Sequence, residues 1–183
     1  QGLPTRDWER ERVVLDRARK RAFEVGVPAI LAEEVMRAQI RAALHVQEEE
    51  QAAAVRSGDG QQALIIGGSG KMGGWFAHFL DNQGYRVEIA DPAGTIANMP
   101  WRTDWRDGPL THDLIVVATP LTTSADILLE LAAKRPPGVV FDLGSLKTPL
   151  TAGLIALREA GVRVTSLHPM FGPDTTLLSG RHV

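Results

Sequence analysis

The sequence predicts an α/β protein in which a parallel sheet follows an α-helical hairpin. Three observations carry that prediction. Composition shifts near residue 56, from a Gly-poor, charge-dense stretch to short apolar runs alternating with helical stretches. Those runs are rich in β-branched residues, as strands buried on both faces of a parallel sheet are. A glycine-rich turn separates the first such run from the helix after it.

Bulk composition narrows the classes of function. The 183 residues hold 20 Lys/Arg against 22 Asp/Glu, a net charge of −2, with 44% hydrophobic and 23% charged residues. These values exclude wholesale disorder. The near balance of charge argues against a nucleic-acid binder working through bulk electrostatics. No apolar run approaches the roughly 20 residues that span a bilayer, and the polar start QGLPTRDWERER is no secretory signal. The absence of Cys removes disulfides, thiolate nucleophiles and Cys-ligated metals. A reducing cytoplasm fits, with neither nucleic acid nor membrane as partner.

Residues 1–55 read as helical, with nine Lys/Arg against ten Asp/Glu. From Thr5 to Val25 the positions Val14, Ala18 and Ala22 recur at fours, flanked by Leu15 and Phe23, which makes an apolar stripe. Asp7 suits the start of that helix and Gly26 its end. Pro28 suits the first turn of a second helix, whose apolar positions include Leu31, Val35, Met36, Ile40 and Leu44. Two helices alone bury little area, so the hairpin needs a partner. The acidic run Glu48–Glu50 leads to Ser57-Gly58-Asp59-Gly60, and residues 56–62 read as a linker.

Residues 63–183 read as one α/β domain. Strands are expected at 63–66, 86–90, 113–118, 139–143 and 162–166, and helices at 71–82, 124–133 and 149–160. Trp101 and Trp105, with Arg102 and Arg106, read as a loop packed on the surface.

Gly68-Ser69-Gly70-Lys71-Met72-Gly73 is a G-x-G-x-x-G that follows a strand and opens a helix, the context a dinucleotide fingerprint requires. In this reading Gly68 permits the tight turn, Gly70 lets a pyrophosphate approach the backbone, and Gly73 lets helix and strand pack closely. The helix N-terminus offers free N–H groups to phosphate. Asp91 ends the next strand, where a carboxylate accepts from ribose hydroxyls and repels a 2′-phosphate, so a Rossmann-type domain with NAD as cofactor is expected. Thr119 and Pro120 end a central strand and are expected to line the nicotinamide half.

Two more strand ends on that edge carry polar residues, 142–147 and 166–174. His168 is placed to accept a hydrogen bond from a substrate hydroxyl. Ser145 is placed to hold the same hydroxyl or to tune the imidazole, and Lys147 to offer a cation to a carboxylate. His45, His78, His112 and His182 show no metal-type pairing, so no metal is expected.

Three segments, LIIGGSGKMGGWFAHFL, DLGSLKTPL and above all SLHPMFGPD, make residues 61–183 resemble the NAD domain of prephenate dehydrogenases. Residues 2–51, through GLPTRDWERERVVL, resemble the later part of an AroQ-type chorismate mutase domain, so the chain looks like the middle of a bifunctional chorismate mutase/prephenate dehydrogenase. The resemblance implies NAD-dependent oxidative decarboxylation of prephenate to 4-hydroxyphenylpyruvate in tyrosine biosynthesis. It implies His168 as the catalytic histidine on the ring hydroxyl, Ser145 beside it, and Gly68 to Gly73 with Asp91 as the NAD site. In the mutase part it implies Asp7, Arg10, Glu11 and Gln47 as contacts for chorismate, with Ala43 where a related mutase has serine. The mutase's first helix, with its arginines, and the dehydrogenase's C-terminal helical domain, with its dimer interface, lie outside the matching segments. The resemblance therefore implies a fragment with no useful mutase activity, weak dehydrogenase activity, and a homodimer in the intact protein. Arogenate dehydrogenase, a mutase with a regulatory NAD module, and a binding fragment without turnover are the alternatives.

Overall fold

In the α/β part, six strands form one fully parallel sheet in which, counted along the chain, the third, second, first, fourth, fifth and sixth lie side by side. The computed structural model describes residues 7–55, 57–96 and 98–175, without the side chains of residues 49 and 51–55. Residues 1–6 of the helical stretch and His182 lie outside the described residues. Two compact units divide near residue 54, one helical and one α/β. Among the described residues no helix is long and apolar enough to cross a membrane.

The helical unit holds α1 (Trp8–Glu24) and α2 (Ala29–Val55). The Asp7 carboxylate accepts from the Arg10 N–H at 3.0 Å, which satisfies an orphan donor of the first turn. Gly26 takes φ +72°, the left-handed conformation that glycine reaches without strain. The Pro28 carbonyl then accepts from Leu31 and Ala32. Leu15 and Ala22 are buried, whereas Phe23 is 85% exposed and Leu31 and Val35 are half exposed. The expected stripe is therefore wider than the seam that two helices share. The second helix continues through the acidic run to Val55, the bound expected for the helical stretch.

The α/β unit runs β1 (Gln62–Ile66), α3 (Lys71–Asn82), β2 (Arg86–Ala90), β3 (Trp101–Arg102), β4 (Leu114–Val117), α4 (Leu121–Lys134), β5 (Val139–Asp142), α5 (Thr151–Glu159) and β6 (Val164–Ser166). Side chains alternate across each strand, so the sheet closes two cores. On one face Leu64, Ile66, Ile115, Val117 and Val140 meet Leu128, Leu131 and Leu157 of α4 and α5. On the other, Ala63, Ile65, Ile89, Val116 and Phe141 meet Phe76, Ala77 and Leu80 of α3. Each fully buried aliphatic side chain contributes roughly 1.5–3 kcal/mol.

One expectation needs correction. The segment around Trp101 is not only a surface loop: Trp101 and Arg102 pair with Ile89 and Ala90 as the edge strand β3. Arg102 is held by an ion pair to Glu88 at 2.9 Å, and Glu88 also meets buried His112 at 2.9 Å. Trp105 follows in a 3-10 turn (105–107) and is only 4% exposed. Large aromatic area drives that burial, and the edge strand comes with it.

Candidate active site at the C-terminal edge of the sheet

The residue following each of five strands continues the ladder by one backbone hydrogen bond. Asp91 N donates to Arg102 O, Gly67 N to Ala90 O, Ala118 N to Ile66 O, Leu143 N to Val117 O, and Leu167 N to Asp142 O, all within 2.8–3.2 Å. The loops bearing the glycine turn, Asp91, Thr119, Ser145 and His168 thus leave one edge of one sheet in fixed register. This is the edge where open α/β sheets bind ligands.

The positive φ of the glycine turn lies at Gly67 (+87°), and a Cβ at Gly68 would meet the Ile89 side chain. A Cβ at Gly67 would also sit 2.8 Å from Ala118 O. At Gly73 a Cβ would stand 2.2 Å from Gly67 O, so any side chain there would push α3 off the turn. Gly70 caps α3 with no side chain, which leaves the helix N-terminus bare. Ser69 N donates to Asp91 Oδ2 at 3.1 Å, and Ala93 N to Asp91 Oδ1 at 2.8 Å. The Ser69 hydroxyl is turned to Gly94 O.

A cavity of about 490 Å³ opens beside this turn, lined by Gly70, Asp91, Thr119 and Pro120 among others. Gly68, Ser69, Lys71, Met72 and Gly73 build the turn and the start of α3 without lining that cavity. Asp104, Trp105 and Arg106 also line its wall, although the sequence places Trp105 and Arg106 in a surface loop. Arg106 pairs with Glu130 at 2.6 Å and with Asp104 at 2.9 Å, and stacks over Trp105 at 4.6 Å. Hydrogen bonding to Glu130 raises the Arg106 pKa further, and Glu130 and Asp104 are held below the ordinary carboxylate range by Arg106. The signal that could have revealed this wall was the 23-residue interval from Asp91 to Asp113, too long for a structureless loop in a compact domain.

These residues fit a nicotinamide dinucleotide. Side chains at Gly67, Gly68 or Gly73 would collide with their surroundings, the N-terminus of α3 has no side-chain cap, and the cavity lies within the usual size of a cofactor site. Asp91 has used two of its roughly four acceptor positions, leaving acceptors for ribose hydroxyls.

Farther along the edge, Ser145 and His168 are exposed on their loops. The His168 loop is anchored by Phe171, whose ring meets Trp75 of α3 at 4.8 Å. Lys147 is engaged within the protein: its ammonium pairs with Asp142 at 3.1 Å and donates to Leu167 O. In the helical unit a cleft of about 210 Å³ is lined by Trp8, Glu11, Arg12, Arg19 and Arg37, among others. Of the four mutase-type residues, Glu11 lines it; Asp7 caps α1, and Arg10 and Gln47 are exposed.

Residues 102–181 match the family model described as the nucleotide-binding domain of prephenate dehydrogenase. Over those residues the α/β unit is similar to the prephenate dehydrogenase family. The match spans β4 to β6 with both polar loops, and begins after the glycine turn. The chain is also similar to the T-protein of Enterobacter agglomerans, 31% identical over 97% of this chain and 45% of that protein. The T-protein of Haemophilus influenzae is 30% identical over 94% of this chain and 44% of that protein. A 4-amino-4-deoxyprephenate dehydrogenase of Streptomyces pristinaespiralis is 31% identical over 67% of this chain and 44% of that protein. The chain thus spans less than half the length of these relatives, and the T-protein likeness runs through both units. No solved structure matches it significantly.

Proposed function

We propose that the α/β unit is the NAD-binding and proton-handling part of a cytoplasmic dehydrogenase that converts prephenate to 4-hydroxyphenylpyruvate. The observation that carries this reading is the single sheet edge on which the glycine turn, Asp91 and the Ser145 and His168 loops are pinned in register. NAD, when bound, supplies the hydride acceptor.

The chain's own residues do the rest. Gly67 to Gly73 and the α3 N-terminus hold the pyrophosphate, and Asp91 accepts from the adenosine ribose. The same carboxylate disfavours a 2′-phosphate, which sets NAD above NADP. Thr119 and Pro120 flank the nicotinamide half. His168 accepts the hydrogen bond of the ring hydroxyl and holds its proton as the carbinol carbon is oxidised; Ser145 orients that hydroxyl. Loss of carbon dioxide then makes the ring aromatic and the step irreversible. In the helical unit Asp7, Arg10, Glu11 and Gln47 are the residues proposed for chorismate, and the intact protein is proposed to be a homodimer.

The test is prephenate-dependent NAD reduction by this polypeptide, followed by nicotinamide absorbance, with NAD and NADP binding measured calorimetrically. Binding of NAD in preference to NADP, with turnover of prephenate, is the expected result. Faster turnover of arogenate would move the substrate assignment, and a chain that binds neither nucleotide would remove the cofactor site.

A further inference from the structure

The mechanism above uses Ser145 and His168 but leaves unexplained a buried ion pair beneath them. Asp142, the last residue of β5, is fully buried. Burying a carboxylate is costly unless it is paired and hydrogen-bonded. Here one oxygen, Oδ1, accepts from Gly144 N at 2.8 Å and from the Lys147 ammonium at 3.1 Å. The other, Oδ2, is buried and has no protein partner among the described residues. Lys147 also donates to the carbonyl of Leu167, the residue before His168. The backbone of Asp142 completes the link, its carbonyl accepting from Leu167 N at 3.0 Å.

The two peptide linkages that flank Leu167 are therefore each held by a residue of the 142–147 loop. The amide of Leu167 is fixed by Asp142 and its carbonyl by Lys147. The carbonyl direction sets the plane of the peptide that begins His168, and with it the path of the imidazole. The same loop carries Ser145 between the two members of the pair. Lys147 is itself 38% exposed on its side chain and could reach water. The buried carboxylate is what keeps it inside.

We propose that Asp142 and Lys147 are positioning residues that lock the Ser145 loop to the His168 loop and so fix the relative placement of the two groups that meet the substrate hydroxyl. This inference rests on the proposed roles of Ser145 and His168. It assigns Lys147 no contact with substrate, in contrast to a cation that binds a substrate carboxylate.

Lys147→Met removes the link while keeping much of the side-chain volume, and Lys147→Arg restores the cation. Misplacing a reacting group by about 1 Å costs on the order of 100-fold, so Lys147→Met is expected to lower kcat by about 10- to 100-fold. The KM for prephenate and the Kd for NAD should stay within about twofold, and Lys147→Arg should recover part of kcat. In a His168→Asn background Lys147→Met should cost little, because its effect passes through His168; such non-additivity marks residues acting as one unit. A raised KM with unchanged kcat, or an equal loss in both backgrounds, overturns the proposal.

A second measurement reads the brace without turnover. Nitrogen-15 NMR of the wild-type chain should show a slowly exchanging Lys147 ammonium signal that disappears in Asp142→Asn, and His168 ring signals that shift in Lys147→Met. If wild type binds NAD but does not turn prephenate over, these signals still decide the brace, whereas the substrate assignment fails on its own. Unmoved His168 signals in a folded Lys147→Met protein overturn the proposal.

Discussion

The apolar residues of the helical unit and those of the α/β unit meet opposite fates in structure. In α1 and α2, Leu15 and Ala22 are buried while Trp8, Phe23 and Ile30 are 66%, 85% and 65% exposed. In the α/β unit Leu64, Ile65, Ile115 and Leu131 are fully buried. Two helices share one seam, whereas a sheet covered on both faces closes two cores within itself. A stripe of apolar residues thus states which side chains share a face and leaves open what covers it. For function, the α/β unit fixes its own site edge. The helical unit leaves Asp7, Arg10 and Gln47 outside the cleft that Glu11 lines.

The sharpest way to break this comparison is to ask whether chemistry resides in the α/β unit alone. His168→Asn should cut prephenate-dependent NAD reduction by about 10²–10⁴-fold, the usual worth of a positioned acid–base group. Its NAD affinity should hardly change by calorimetry. Phe23→Ser on the exposed helical face should leave turnover unaltered and stability within about 0.5 kcal/mol. Comparable losses from both substitutions would show that the units do not work separately.

A smaller effect sharpens the contrast in packing. Gly73→Ala places a Cβ against the Gly67 carbonyl, backbone against backbone, so neither side can yield cheaply. Overpacking of that kind costs about 1–3 kcal/mol. Thermal unfolding followed by near-UV circular dichroism of the buried Trp105 should shift down, and NAD affinity should fall with it. Smaller again is Asp91→Ser, expected to weaken NAD by about tenfold, or roughly 1.4 kcal/mol, and to narrow the preference over NADP. An unchanged NAD/NADP ratio in competitive titration would take Asp91 out of the site.

Much of this architecture was legible because it rests on local chemistry. Continuous β-branched runs marked the central strands, and the glycine turn marked the start of α3, since both depend on residues adjacent in the chain. The edge strand β3 was not legible. Arg102 is held by Glu88, 14 residues away, Glu88 also meets His112, 24 residues away, and the Trp101 indole donates to Asp91 O; such contacts leave no periodicity. Lys147 shows the same limit at the site. Its residue type announces a cation, but only the fold reveals that buried Asp142 claims it. Motif spacing therefore located the sheet edge, while the partners of each charge had to be seen in three dimensions.

The smallest expected effect concerns a clamp that each unit carries in mirrored form. In the helical unit Glu33 sits between Arg19 and Arg37, at 2.6 and 2.7 Å; in the α/β unit Arg106 sits between Asp104 and Glu130. Hydrogen bonds from Arg37 and then Arg19 hold the Glu33 carboxyl below its ordinary value. Carboxyls depressed in the folded state contribute stability that is full above the unfolded value, about 4.3 for Glu, and lost as pH falls through the folded one. The affected window therefore lies on the acid side of about pH 4. These pairs are exposed, so salt should weaken them as well. In the α/β unit the clamp is one support of a wall that buried Trp105 also holds, whereas α1 and α2 have little buried area to fall back on. Hydrogen exchange at pH 3 should accordingly show α1 and α2 amides losing protection before those of β1 and β4, with NAD affinity declining later as the 103–107 turn loosens. Simultaneous loss in both units would mean that the difference in packing does not govern their stability.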